Sequence, residues 1–222
     1  MAGCIASCAG GGGGGGFAPP GGGNGGGSPP SLPATVSVSS GAVTGVDDTF
    51  NPADGDAPGG GHGQTVDGIP CLPTMDEAHY HVHAFLGIVR NRVMQALPDG
   101  TGMRNPGADS AGVVNTATCF YYLHTHDAAG VIHIEDPSTA ARTASLHTLG
   151  QYLDIWGQSL AGARIYTSGA VYQGQGQQTV ANSTYTQCTG DPHAIPLFAH
   201  EVIWAEFGPA YPQSLPSVHF SY

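Results

Sequence analysis

The chain has 222 residues and a net charge of −11, with five arginines and no lysine. Because a phosphate backbone is bound through basic side chains, this charge balance excludes nucleic acid as a partner. Apolar runs stay shorter than the roughly 18 residues of a membrane-spanning helix, so a membrane is an expected partner only through a lipid anchor.

The N-terminal third has the composition of an unfolded segment, with glycine, proline and serine prevailing in residues 9–33. Such a composition is typical of flexible linkers, which bury too little apolar surface to fold. A short strand is predicted at residues 34–40, and a second Gly/Pro/Asp-rich stretch follows it. We therefore predict a disordered tether over residues 1–65 and one folded domain over residues 66–222.

The tetrad Ile5-Ala6-Ser7-Cys8 resembles the lipobox of bacterial lipoproteins, and a run of glycines follows it almost at once. This arrangement predicts lipidation of Cys8 and a location outside the cytoplasm, as a bacterial lipoprotein or a periplasmic or secreted protein. The charged and apolar regions of a signal peptide are missing ahead of the tetrad. An accidental tetrad before a low-complexity tail is the alternative.

A strict alternation of side chains predicts the first long strand of the domain at residues 78–89. The polar and aromatic positions that share one face are His79, His81, His83 and Phe85. The residues between them are mostly apolar and take the other face, because successive side chains point to opposite sides of a strand. This is the pattern of a half-buried strand that carries a row of imidazoles.

A second row of histidines lies on a predicted β-hairpin. Two hydrophobic runs, at residues 120–123 and 131–134, flank the turn sequence Asp-Ala-Ala-Gly. His124 and His126 share one face of the first strand. A loop of two or four residues places His133 directly opposite His124, which is the register that we favour. A three-residue loop with a bulge would turn His133 to the other side.

The clearest helix follows Thr148, which is placed to cap it, with Gln151 at the capping-box position. Its apolar stripe has spacings of four and three and consists of Leu149, Leu153 and Trp156. Gly157 is placed to end the helix. Further strands are predicted at residues 93–97, 163–171 and 200–207, with loops over 98–112 and 173–187 and an extended tail from residue 208. The predicted fold is thus mainly β, one antiparallel or mixed sheet with one short helix.

Together the two histidine rows predict a transition-metal site. Imidazole is a common ligand of zinc, copper, iron and nickel, and strands about 4.8 Å apart bring such side chains within reach of one ion. The predicted ligands are His81, His83, His124 and His126, with His133 in reserve. The residues expected to complete the shell or to orient its imidazoles are Asp127, Glu135 and His79. A patch of hydrogen-bonded histidines without metal is the alternative.

The cysteines of the domain are expected to form one disulfide. If Cys8 is lipidated, Cys4 is removed with the signal, and three of the five cysteines remain: Cys71, Cys119 and Cys188. In an oxidising compartment Cys71 and Cys119 are the predicted pair, since each lies just ahead of a histidine row and the bond would hold the two rows together. Cys188 lies in a predicted loop; a free thiol is one option there, and its state is left open. Three reduced core thiols are the alternative.

Several short motifs occur in a fixed order along the domain. They are Y-H-V-H-A at 80–84, L-H-T-H-D at 123–127, Gly130, I-H-I-E at 132–135, T-L-G-Q at 148–151 and W-G-Q at 156–158. In combination they resemble a family of uncharacterised bacterial exported proteins, over about residues 67–208. That resemblance implies export and no particular activity. In the family pattern a third histidine stands where this chain has Phe85, and an Asn-Gly turn where it has Asn91-Arg92, so Phe85 removes one potential ligand.

The leading functional prediction is an extracytoplasmic protein that binds copper or zinc through clustered histidines. The first alternative is a histidine-ligated metalloenzyme, for hydrolytic or copper–oxygen chemistry, with Asp127 or Glu135 as proton acceptor. A saturated four-ligand shell would indicate storage or structure, whereas three ligands facing a cleft would indicate catalysis. The second alternative is a metal-free adhesive or scaffold module.

Overall fold

The computed structural model describes residues 32–46, 60–75, 79–109, 113–137, 147–169, 180–212 and 214–221. Of the predicted tether at residues 1–65, residues 1–31 and 47–59 lie outside the described residues, and so does the predicted lipidation of Cys8. The described strands are β1 (Thr35–Val38), β2 (Tyr80–Arg90), β3 (Val93–Gln95), β4 (Met103–Arg104), β5 (Gly107–Ala108), β6 (Val114–Thr116), β7 (Cys119–Phe120), β8 (Leu123–His124), β9 (Val131–Asp136), β10 (Arg164–Thr167), β11 (Val180–Asn182), β12 (Thr186–Cys188), β13 (Val202–Phe207) and β14 (Ser217–Phe220).

A mixed sheet of seven strands forms the centre of the fold, which confirms the predicted β-rich class. Its order is β12-β10-β13-β2-β9-β8, and β3 pairs with β2 beside this path. The pairing of β2 with β13 is parallel, while β2 with β9 and β9 with β8 are antiparallel. A three-stranded sheet, β1-β14-β11, and two short ribbons, β4-β7 and β5-β6, complete the described strands.

The two faces of the central sheet are covered by different layers. On one face, Leu86 and Ile134 pack in a core with Tyr152 and Trp156 of the helix. On the other, Phe85 and the neighbouring strand residues pack against the small sheet, in a core that includes Val36, Val38, Val218 and Phe220. Because side chains alternate along β2, His81 and His83 lie on the same side as Phe85. The first histidine row therefore extends the second face of the sheet.

The predicted helix is present as α1 (Leu149–Trp156), with the predicted caps. The Thr148 hydroxyl accepts a hydrogen bond from the Gln151 backbone N–H, and the Gln151 side chain accepts one from the Thr148 backbone N–H. Gly157 ends the helix at φ 73°, a left-handed conformation that glycine adopts without steric cost. The apolar stripe of α1 is fully buried against the sheet.

Short strands occur in places where the sequence predicted loops, so those loop predictions were wrong in part. β4 and β5 lie within residues 98–112, and β11 and the start of β12 lie within residues 173–187. The predicted last strand is present as β13, but β14 follows it in the proline-containing tail. Strands of two to four residues carry too few alternating side chains to stand out from turn-rich surroundings.

The folded part of the chain extends ahead of residue 66. The strand predicted at residues 34–40 is present as β1, which pairs in parallel with β14. Val36 and Val38 of β1 are buried against the second face of the central sheet. No local pattern signals the pairing of β1 with a strand about 180 residues away, which is why the folded domain was predicted to start at residue 66.

The predicted disulfide between Cys71 and Cys119 is present, with the two Cα atoms 5.4 Å apart. Beside it, Leu72 and Phe120 exchange backbone hydrogen bonds, so the segment before β2 is fixed to β7. The state of Cys188 was left open by the sequence; the residue is also disulfide-bonded, and it lies in β12 where a loop was predicted.

Removing the Cys71–Cys119 bond is expected to destabilise the fold. The bond spans 48 residues, for which loop-closure entropy gives a loss of about 4 kcal/mol in the free energy of unfolding. Urea unfolding of the Cys71→Ser/Cys119→Ser double variant under non-reducing conditions measures this. An unfolding midpoint equal to that of the parent would show that the bond contributes nothing.

Among the described residues, no helix is long and apolar enough to cross a lipid bilayer.

Candidate metal centre

The sheet register brings the two histidine rows together on one face. β9 lies between β2 and β8, and His133 of β9 is paired with His83 on one side and with His124 on the other. The favoured hairpin register, with His133 opposite His124, is thereby confirmed. Glu135, two residues along β9, is paired with His81. Residues two apart on a strand share a face, so all these side chains project on the same side of the sheet.

Two overlapping groups of potential metal ligands result. The inner set consists of His124, His126, His133 and Glu135, and the outer set consists of His81, His83 and His133. Within each set the potential donor atoms lie within 4.8 Å of one another. The structure thus brings together all five histidines predicted as ligands, and it places Glu135 among them. The inner set could hold a metal ion.

Backbone carbonyls orient the two histidines at the end of β8. The Nδ1 atom of His124 lies 2.8 Å from the carbonyl oxygen of Tyr121, and Nδ1 of His126 lies 2.5 Å from that of Val114. A carbonyl oxygen only accepts hydrogen bonds, so each Nδ1 carries the proton and donates. Each Nε2 is therefore left to face the inner set, which is the tautomer that a metal ligand needs.

The loop before β4 holds this pair in place. The Thr125 backbone N–H donates to the Thr101 carbonyl, and the Thr125 hydroxyl donates to the Pro98 carbonyl, at 2.9 Å in both cases. Gly102, at φ 76°, packs directly against the backbone of Leu123 and His124, where a Cβ atom would clash with the Leu123 carbonyl oxygen. The close approach of two backbones explains why glycine occupies this position.

The spacing of the donor atoms matches a four-coordinate ion. Ligands at about 2.0–2.1 Å from a tetrahedral zinc ion lie about 3.3–3.4 Å from one another. The Nε2 atoms of His124 and His126 are 3.2 Å apart. Oε1 of Glu135 lies 3.7 Å from Nε2 of His124, 3.9 Å from Nε2 of His126 and 3.6 Å from Nδ1 of His133. Small side-chain movements would bring all four atoms onto one ion.

Glu135 is the charged centre of the cluster. Burial opposes its ionisation, but the imidazoles of His126 and His133 beside it, followed by those of His124 and His81, hold its pKa well below the ordinary value. The Glu135 carboxylate is thus ionised, as a ligand must be. The sequence prediction gave Glu135 a supporting role, although its position two residues after His133 already placed it on the ligand face.

Most of the imidazoles are held neutral. Burial lowers the pKa of His124 to about 4 and that of His133 to about 3, and burial with the neighbouring His133 lowers that of His83 to about 2. For His126, burial lowers the pKa, but Glu135 and the Val114 carbonyl outweigh it and the net shift is upward. A proton shared between the Nε2 atoms of His124 and His126 would relieve the repulsion of two lone pairs, and a metal ion would take its place.

These shifts predict that the metal-free protein loses stability in mild acid. Below pH 6.5 the unfolded chain protonates its histidines, while His83, His124 and His133 stay neutral in the fold, so stability falls as the pH drops from 6.5 towards about 4. The raised pKa of His126 opposes this trend, since its contribution is present below pH 6.5 and lost as the pH rises.

Urea unfolding in chelator between pH 7.5 and 4.5 measures this loss. His124→Leu removes one such group and should flatten the acid slope by about 1.4 kcal/mol per pH unit. Equal slopes for the variant and the parent would mean that His124 titrates normally in the fold.

The two other residues predicted to support the site, Asp127 and His79, belong to neither set of potential ligands. Both carboxylate oxygens of Asp127 accept backbone hydrogen bonds, Oδ2 from Gly41 at 2.6 Å and Oδ1 from Ala129 at 3.0 Å. Asp127 therefore shapes the hairpin turn and ties it to the segment after β1, while its charge helps to raise the pKa of His126. His79 is exposed just before β2 and belongs to neither set.

Two histidines predicted to be isolated have specific surroundings. His147 is buried, with Nε2 2.7 Å from Oδ2 of Asp136, on the helix side of the sheet. His200 is buried at φ 56°, and its backbone N–H donates to the His83 carbonyl at 2.6 Å. A positive φ at a non-glycine residue is costly, and it frequently marks a functional site. No sequence pattern indicated either environment.

A cleft of about 350 Å³ opens beside the inner set. His126 and Glu135 form its inner wall, and Met75, Asn115 and Thr116 are among the residues of its rim. The inner set therefore has one side that a solvent molecule or a small ligand can reach.

No family model, curated protein or solved structure matches this chain.

Proposed function

We propose that this protein binds a copper or zinc ion through the inner set, outside the cytoplasm. The observation that carries the proposal is the 3.2 Å separation of the Nε2 atoms of His124 and His126. Each ring donates its Nδ1 proton to a backbone carbonyl, so the two remaining lone pairs face each other across this short distance. Without a shared cation such a contact is repulsive, and it is maintained by the hydrogen bonds that hold both rings and Thr125 between them.

The type of donor narrows the choice of metal. Three imidazoles and one carboxylate suit zinc and copper, whereas calcium and magnesium prefer sites made of oxygen ligands alone. Neither set includes a cysteine thiolate. By the general order of affinities, copper(II) is expected to bind more tightly than zinc at the same ligands.

The disulfide bond of the domain supports the proposed location outside the cytoplasm. A disulfide between Cys71 and Cys119 is stable in an oxidising compartment and is rare in the cytoplasm.

Metal analysis of the protein made without a histidine tag tests the proposal. We expect chelator-treated protein to take up one equivalent of Zn²⁺ or Cu²⁺ that survives gel filtration. The control variant His62→Ala removes an exposed histidine that is far from the cluster in sequence. It should retain the same amount of metal as the parent. No retained metal in the parent would refute the proposal and favour a metal-free adhesive or scaffold module.

A second candidate function, a metalloenzyme, is favoured by the cleft. It reaches His126 and Glu135, so an ion in the inner set would have a side open to an external ligand. A bound ion would supply Lewis-acid or redox chemistry there, and Glu135 would be the nearest proton acceptor. Azide added to the Cu²⁺-loaded protein separates the two functions. A new absorption band would indicate an open coordination position, whereas an unchanged spectrum would indicate a saturated, storage-type site.

A further inference from the structure

We propose that the outer set is a transit position, through which a metal ion passes between solvent and the inner set. This inference rests on the proposed metal-binding function and adds a route to it. His81 is the solvent end of the route, and His133 and Glu135 are the groups shared by its two ends.

The first observation is the overlap of the two sets. Nε2 of His81 lies 3.4 Å from Nδ1 of His133 and 3.2 Å from Oε1 of Glu135, and the last two atoms are 3.6 Å apart. These three separations form a triangle of the size found between ligands on one zinc ion. The same Glu135 oxygen lies 3.7 Å from Nε2 of His124. An ion can therefore exchange His81 for His124 while it keeps Glu135 and His133.

The second observation is a gradient of exposure across the sheet. The His81 side chain is 48% exposed, that of His133 is 9% exposed and that of His124 is fully buried. The three strands that carry them are neighbours in the order β2-β9-β8. A hydrated ion from solvent would contact the imidazole of His81 first. The next ligands, His133 and then His124, lie progressively further from water.

The third observation is the difference in the surroundings of the shared carboxylate. Glu135 is common to the two positions, but the inner position is more deeply buried, since the His124 side chain is fully buried whereas that of His81 is 48% exposed. The attraction of a divalent cation to a carboxylate is stronger where water is excluded, which favours the inner position at equilibrium. The outer set is then occupied only briefly, and its effect is on rates. By microscopic reversibility, a group that serves only in transit changes capture and release by the same factor.

Stopped-flow kinetics with Zn²⁺ as the probe test this route. Zn²⁺ capture by the chelator-treated protein and Zn²⁺ release to excess EDTA are measured for the parent, His81→Ala and the control His79→Ala. His79 is an exposed histidine two residues from His81 and outside both sets, so its loss should change nothing. For His81→Ala we expect capture and release both to slow by about tenfold or more, with Kd unchanged within about threefold.

The outcomes that overturn the inference are distinct from those that overturn the function. Unchanged rates in His81→Ala would mean that the ion uses the cleft beside His126 instead. A weaker Kd with an unchanged capture rate would make His81 a permanent ligand. A second equivalent of Zn²⁺, bound as tightly as the first, would make the outer set a resident site. If the parent itself captures no Zn²⁺, the proposed metal-binding function fails as well.

Discussion

Replacing His124 by alanine is expected to weaken Zn²⁺ binding by more than about 100-fold, which exceeds the usual effect of changing a residue outside the ligand shell. Its ring is fully buried, its Nδ1 proton is held by the Tyr121 carbonyl, and its Nε2 faces His126 at 3.2 Å. Among the described residues, no other side chain places a donor atom at the position of the His124 Nε2. Isothermal titration of the chelator-treated variant with Zn²⁺ gives the affinity directly.

The control for this experiment is His193→Ala, which removes a half-exposed histidine outside both sets. It should bind Zn²⁺ like the parent. Circular dichroism in the near ultraviolet must show that His124→Ala keeps its fold, since the side chain is buried. A folded His124→Ala variant with parental affinity would remove the inner set as the binding site.

The second large effect is expected in the core between the two sheets. Trp204 is fully buried and paired in register with Gly87 of β2, whose missing side chain makes room for the indole ring. Phe85 contacts the same ring edge-on, with ring centroids 5.3 Å apart. Trp204→Ala should reduce the free energy of unfolding by about 3–5 kcal/mol through the cavity it leaves. Gly87→Val should cost about 1–3 kcal/mol, because its methyl groups would overlap the indole.

The double variant Gly87→Val/Trp204→Ala distinguishes two explanations: that the two side chains compete for the same space, or that each substitution weakens the sheet independently. Since the valine would occupy part of the cavity, the combined loss should be smaller than the sum of the single losses by about 0.5–3 kcal/mol. Urea unfolding of all three variants measures this difference. Val43→Ala, at an exposed position, is the control and should lie within about 0.5 kcal/mol of the parent. Strictly additive losses would mean that the two side chains do not compete for the same space.

The parts of the fold that follow from local patterns could be predicted from the sequence. The alternation of His81, His83 and Phe85 with apolar residues identified β2 and its polar face. The hairpin followed from the turn chemistry around Gly130, which adopts a φ of 81°, whereas its register was only favoured over one alternative and is confirmed by the structure. The helix followed from its caps. Each of these signals lies within a few residues of the element that it predicts.

What could not be predicted depends on pairing between distant segments. That β9 lies between β2 and β8, and so makes His133 common to both histidine rows, is a property of strand order that periodicity does not encode. The carbonyls of Tyr121 and Val114 that orient the inner histidines are backbone groups, which carry no sequence signal at all.

Anomalous diffraction from crystals soaked in Zn²⁺ tests the central claim most directly. The account predicts one strong peak on the second face of the sheet, about 2.0–2.2 Å from the Nε2 atoms of both His124 and His126 and from a carboxylate oxygen of Glu135. Peaks confined to surface histidines such as His62, with the Nε2 atoms of His124 and His126 still facing each other without an ion, would contradict it.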